Sequence, residues 1–146
     1  LAHVGEAPFT KAGTLQLDQI RRFATEKVAE FDIRTTGIEQ HAGELSGGNQ
    51  QKVVLARELS RELRVLVAAQ PTRGVDVGSI EFIHEQIVAA RDAGVGVLVV
   101  STELDEVAAL ADRIMVMFRG KIVGIVPGDT PRDVLGLMMA GEQVAV

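Results

Sequence analysis

The stretch best equipped for chemistry is Glu44-Leu45-Ser46-Gly47-Gly48-Asn49-Gln50-Gln51-Lys52. Ser46 stands where it can cap a helix, its hydroxyl accepting a first-turn amide. Free amides and the positive dipole end at such a start favour an anion. Gly47 and Gly48 carry no Cβ, so a bulky phosphate can come close to the backbone. Ser46 and Asn49 can add side-chain hydrogen bonds. A bare Ser-Gly-Gly also has a simpler account, a loop and a cap with flexible glycines, so the rest of the chain decides between them.

The elements that must position this stretch can be read from periodicity and punctuation. Leu17, Ile20, Ala24, Val28 and Phe31 recur at three and four residues and predict a helix over 15–31. Residues 1–13 show no clear period, and Thr35–Gly43 is a polar loop. Ser46 opens a helix predicted over 47–61. Arg64–Ala69 reads as a short buried strand, Pro71, Gly74 and Asp76 as a turn. Asp76 caps a helix running to Asp92, with Ile80, Ile83, Ile87 and Ala90 inward and Gly94 ending it. Val95–Ser101 is a second buried strand, so 66–100 forms a strand-helix-strand unit of the kind that makes a parallel crossover. Thr102 with Asp105 resembles a capping box for a short helix to about Ala111. Ile114–Phe118 and Lys121–Val126 flank Arg119-Gly120 as a β-hairpin. Thr130-Pro131 places a cap and a first-turn proline before a last helix over 131–140. The order is α/β, with helices packed against a mainly parallel sheet.

Composition bounds the function. The chain has 146 residues, a net charge of −5, no cysteine, and a core that must be aliphatic because it has five Phe and neither Trp nor Tyr. The acidic balance and the lack of a Lys/Arg cluster argue against nucleic acid as a partner. Disulfides and Cys-based metal sites are excluded. His3, His41 and His84 are isolated in sequence and suit surface or packing roles better than metal binding. No run approaches the ~20 apolar residues of a membrane-spanning helix, and no leader pattern opens the chain. It starts at Leu1 rather than Met, so a piece of a longer cytosolic protein is expected.

Other segments favour the phosphate account. Leu45–Lys52 resembles the signature motif of ABC ATPases, in the form typical of sugar-importer subunits. Arg64–Gly78 is similar to that family's Walker B strand and D-loop. Val99–Val107 lies where its switch histidine is found, and Ala111–Met117 resembles the strand that follows. The resemblance is strong over 44–126. It implies a partial ABC ATPase domain, P-loop NTPase-like, with a C-terminal β-hairpin. Residues 1–60 would form the helical, signature-bearing part and 61–146 the Walker B, D-loop and switch part. The Walker A loop is missing: Gly120-Lys121 is the only Gly-Lys pair, and Met115 and Ile122 spoil the match to G-x-x-x-x-G-K-[ST].

Three positions depart from the family pattern. Walker B usually ends in Asp-Glu, where this chain has Ala69 and Gln70, and the switch histidine position is Thr102. Ala69 offers no oxygen to Mg²⁺, the Gln70 amide cannot take a proton as a general base, and Thr102 has no imidazole. The resemblance therefore implies an asymmetric pair of sites. Ser46, Gly47, Gly48, Asn49, Gln50 and Asp76 would bind nucleotide held by a partner domain, and no catalytic residue of the chain's own site would be intact. The implied cofactors are ATP and Mg²⁺ in the full-length assembly, with little or no binding by the chain alone.

The implied partners are a second nucleotide-binding domain in the same polypeptide and transmembrane permease subunits, at the inner face of the cell membrane. The chain resembles the second cassette of sugar-type importers, and its AAQPTRG segment looks most like the nucleoside importers among them. The competing readings are a non-transport ABC ATPase and a non-catalytic, nucleotide-sensing interaction module. Uncovered apolar surface would also let the isolated piece self-associate.

Overall fold

Two residues with short acceptor side chains set the two central helices. In a computed structural model describing residues 8–142, Ser46 and Asp76 both take extended backbone angles, and each accepts the amide three residues on. The chain divides into two units that interleave in sequence.

The first unit spans residues up to 64 and 72–95. A two-residue hairpin, β1 (Thr10–Lys11) and β2 (Thr14–Leu15), turns on Ala12-Gly13, both at positive φ. Sequence reading gave no strand there, because two-residue strands are too short to show alternation. Helix α1 (Leu17–Glu30) follows, half-burying Ile20, Ala24 and Val28 but leaving Leu17 exposed. It ends in a left-handed residue, Asp32 (φ 46°). The Asp32 amide bonds Ala29 and the Ile33 amide bonds Val28, the two-bond closure usually built on glycine. After a 3-10 turn at Ala42–Glu44 come α2 (Gly47–Leu59) and α3 (Val77–Asp92). Their buried stripes are Gly48, Lys52, Ala56 and Ser79, Ile83, Ile87, each spaced by four residues. The α3 stripe thus takes Ser79 where Ile80 was expected, and Ile80 and Ala90 are half-buried. Phe31, Ile33 and Ala56 form the core, with Val28, Leu45, Val53 and Phe82 against it. Gly94, at φ 88°, ends α3 as expected.

The second unit holds residues 65–71 and those from 96 on. Strands β3 (Val65–Ala69) and β4 (Gly96–Val100) pair in parallel, Val65 opposite Gly96 through Ala69 opposite Val100. One face of this pair carries Leu66, Ala68, Val97 and Val99, buried or half-buried. The other exposes Val65, Val67, Leu98 and Val100. Helix α4 (Leu104–Leu110) leads to the antiparallel hairpin β5 (Arg113–Phe118) and β6 (Lys121–Pro127). Arg119 and Gly120 both take positive φ, the two-residue turn whose twist suits a hairpin. Helix α5 (Arg132–Met139) covers one face, where Leu135 and Met138 meet Ile114, Val116 and Val126.

Two expected caps differ. Helix α4 begins at Leu104, so its cap position is Glu103, which makes no side-chain cap bond. Thr102 lies one residue too early for a capping box, and Asp105 pairs instead with Arg132 at 2.7 Å. At α5 the cap position is Pro131 itself, while the Thr130 hydroxyl donates to the Pro127 carbonyl. Among the described residues no helix is long and apolar enough to cross a membrane.

Candidate functional site

Ser46 is exposed at the start of α2. Its Oγ accepts twice from Asn49, from the backbone amide at 3.4 Å and from Nδ2 at 2.9 Å. Asn49 Oδ1 in turn accepts the Arg34 amide at 2.8 Å. Helix geometry leaves the first-turn amides of Gly47 and Gly48 without an acceptor inside α2. Ser46, Gly47 and Asn49 therefore stand together at an electropositive tip whose donor chemistry suits a phosphate. The side chain of Gln50 is committed elsewhere, donating to the Leu45 carbonyl at 2.8 Å.

The glycines answer first to the chain's own packing. A Cβ on Gly48 would lie 2.4 Å from Ser79 Oγ and 2.6 Å from Asp76 Oδ2, and one on Gly47 would lie 2.9 Å from the Gly74 carbonyl oxygen. Gly48 is buried as a result. Asp76 is brought beside this tip, but both its oxygens serve α3, accepting the Ser79 amide at 3.0 Å and the Ser79 hydroxyl at 2.9 Å. Those two bonds, the hydroxyl's first, hold the Asp76 carboxyl below its ordinary range.

Lys52, one turn beyond Asn49, is 5% exposed. Its ammonium donates to the Asp32 carbonyl and to Asp32 Oδ2, both at 3.0 Å, and lies 4.6 Å from the centre of the Phe82 ring. The hydrogen bond and then the charge of Lys52 hold the Asp32 carboxyl below its ordinary range. Sequence reasoning missed Asp32, Arg34 and the anchoring role of Lys52. The available signal was the three-residue spacing of Asn49 and Lys52, which puts both on one face of α2.

In the second unit, Ala69, Gln70 and Thr102 meet at the ends of β3 and β4. Gln70 takes φ 51°, and its amide donates to the Val100 carbonyl at 2.7 Å. The Thr102 hydroxyl donates to Gln70 Oε1 at 3.4 Å. This set offers neither carboxylate nor imidazole. It does not fit a divalent cation, because Ala69 has no side-chain oxygen and Gln70 and Thr102 bring no negative charge. Among the described residues no three or more His, Asp or Glu side chains cluster as metal ligands. His41 is exposed and His84 half-buried, while His3 lies outside the described residues.

No protein-family model matches the chain. Similar proteins and folds are nevertheless plain. The chain is 47% identical over 136 residues to the guanosine import ATP-binding protein NupO of Bacillus subtilis, a match covering 92% of this chain and 27% of NupO. It is 42% identical over 130 residues to the ribose import ATP-binding protein RbsA 1 of Rubrobacter xylanophilus, covering 88% and 26%. The dimeric structure of MJ0796, a bacterial ABC transporter cassette, superposes with a TM-score of 0.67 at 25% identity, covering 82% of this chain and 51% of the cassette. The fold, with its parallel pair and C-terminal hairpin, is that of part of an ABC ATPase domain. The chain belongs to the ABC ATP-binding proteins. Within them it is similar to those of nucleoside and sugar import, spanning about a quarter of the length of the curated relatives it matches.

Proposed function

We propose that this chain is the part of a nucleoside- or sugar-import ATP-binding protein that offers its signature helix to ATP held by a partner domain. The observation that carries the reading is the tip of α2. There the exposed Ser46 hydroxyl stands on a frame of internal hydrogen bonds, beside the first-turn amides of Gly47 and Gly48, which find no acceptor inside α2. ATP and Mg²⁺ belong to the assembled full-length protein, and the partner would supply the P-loop that this chain lacks. The assembly would hydrolyse ATP at the inner face of the membrane, coupled to permease subunits. The curated relatives support nucleosides and sugars as cargo, since their own names specify guanosine and ribose import.

The chain's own Walker B and switch positions form, in this reading, a site without turnover. Gln70 and Thr102 satisfy one another, and neither can take a proton from water at neutral pH. Asp76 shapes the signature from beneath by fixing the start of α3.

Ser46→Asp tests the signature role in the full-length protein assembled with its permease. Aspartate still caps a helix, so folding is expected to survive. It cannot donate, and it sets a negative charge against a phosphate. ATP turnover is expected to fall by roughly 100-fold or more. Turnover equal to the parent's, at an unchanged melting temperature, rejects the reading.

A further inference from the structure

The direction in which the Ser46 hydroxyl can act is set by a residue that need not touch nucleotide at all. Both of the hydrogen bonds that reach Ser46 Oγ come from Asn49, one from its amide and one from its Nδ2. A hydroxyl has two acceptor positions and one proton. With both acceptor positions filled, Ser46 has only its proton left to give, and it must give it outward.

The orientation of the Asn49 side chain is itself forced. Its other end meets the Arg34 backbone amide at 2.8 Å. That amide is a donor, so the atom facing it must be Oδ1, and the NH₂ must face Ser46. The Arg34 amide is held in turn by its turn: Asp32 closes α1 in a left-handed conformation, and Lys52, three residues beyond Asn49, grips both its carbonyl and its carboxylate. Ile33, between them, is buried in the core. A rigid turn thus fixes an amide, the amide fixes a hydroxyl, and the hydroxyl is left as a donor before any anion arrives. Preset donors of this kind need no reorganisation when charge develops.

We propose that Asn49 is a positioning residue that presets Ser46 as a hydrogen-bond donor toward a nucleotide phosphate, acting through Ser46 rather than by contact of its own. The proposal rests on the signature reading above and narrows the part played there by Asn49.

A double-mutant cycle on the full-length, permease-assembled protein tests it, with kcat and KM for ATP as readouts and thermal melting as a fold check. Ser46→Ala is expected to lower kcat roughly 10- to 100-fold, the loss of one hydrogen bond to a charged group. Asn49→Leu is expected to do the same. The double variant is expected to be no slower than Ser46→Ala alone, since without the hydroxyl Asn49 has nothing to direct. Asn49→Asp keeps an acceptor for Arg34, and so keeps the turn, but replaces the donor facing Ser46. It is expected to melt like the parent and still lose turnover. A double variant slower by the product of the two single losses overturns the proposal, as does full turnover in Asn49→Asp. If Ser46→Ala is itself as fast as the parent, the signature reading fails as well, which is a separate outcome.

Discussion

Gly48 lies so close to Asp76 that a β-carbon at position 48 would stand 2.6 Å from the aspartate's Oδ2. The absence of a side chain there is demanded by the meeting of α2 and α3, whether or not a ligand is near. Asp76 and Ser79 cannot both retreat, because their mutual hydrogen bonds start α3.

Gly48→Ala is therefore expected to destabilise the protein with no nucleotide present, by about 1–3 kcal/mol, the usual cost of forcing a methyl into a filled space. Thermal or urea melts in nucleotide-free buffer check this. A midpoint equal to the parent's would mean the helices part easily and the glycine answers to the ligand alone. Because of this internal demand, lost activity in a Gly48 variant says little about phosphate contact, whereas Ser46, exposed at the tip, is a direct probe.

Gln70→Glu is expected to restore no hydrolysis at the chain's own site. A carboxylate there would still lack a cation ligand at Ala69, and its switch partner would still be Thr102, which donates to that same side-chain oxygen. The measurement is ATP turnover in the full-length protein carrying Ser46→Asp, so that the other site is silent. A rise of more than about tenfold over that background would show that the missing base was the whole defect.

The pH dependence follows from two carboxyls. Asp32, through Lys52, and Asp76, through Ser79, both have native values below the ordinary 3.8. The native state thus binds these protons less readily than the unfolded chain. Their contribution is complete above the ordinary value and is lost as pH falls through the lower native one. The stability gap between the parent and Asp76→Asn is expected to be constant from about pH 5 to 8 and to shrink below about pH 4. Urea melts across that range measure it, and a gap that persists undiminished at pH 2 contradicts the assignment.

Local chemistry was the legible part of this molecule. Ser46 and Asp76 each cap a helix from within four residues, Gly94 closes α3, and Arg119-Gly120 turns the hairpin. Such features depend on nearest neighbours in the chain. What escaped depends on residues far apart: Arg34 with Asn49, Asp32 with Lys52, Gln70 with Thr102. Thr102 was misread for that reason. A threonine followed by an acidic residue satisfies the local rule for a cap, but a partner 32 positions away takes its hydroxyl. The left-handed backbone of Asp32 and Gln70 was equally hidden, since neither is glycine.

The bare side of the β3–β4 pair has a practical consequence. Val65 and Val67 on one strand and Leu98 and Val100 on the other turn four aliphatic side chains toward water, with no charge among them. Produced by itself, this polypeptide is expected to clump as its concentration rises, which light scattering over a dilution series measures.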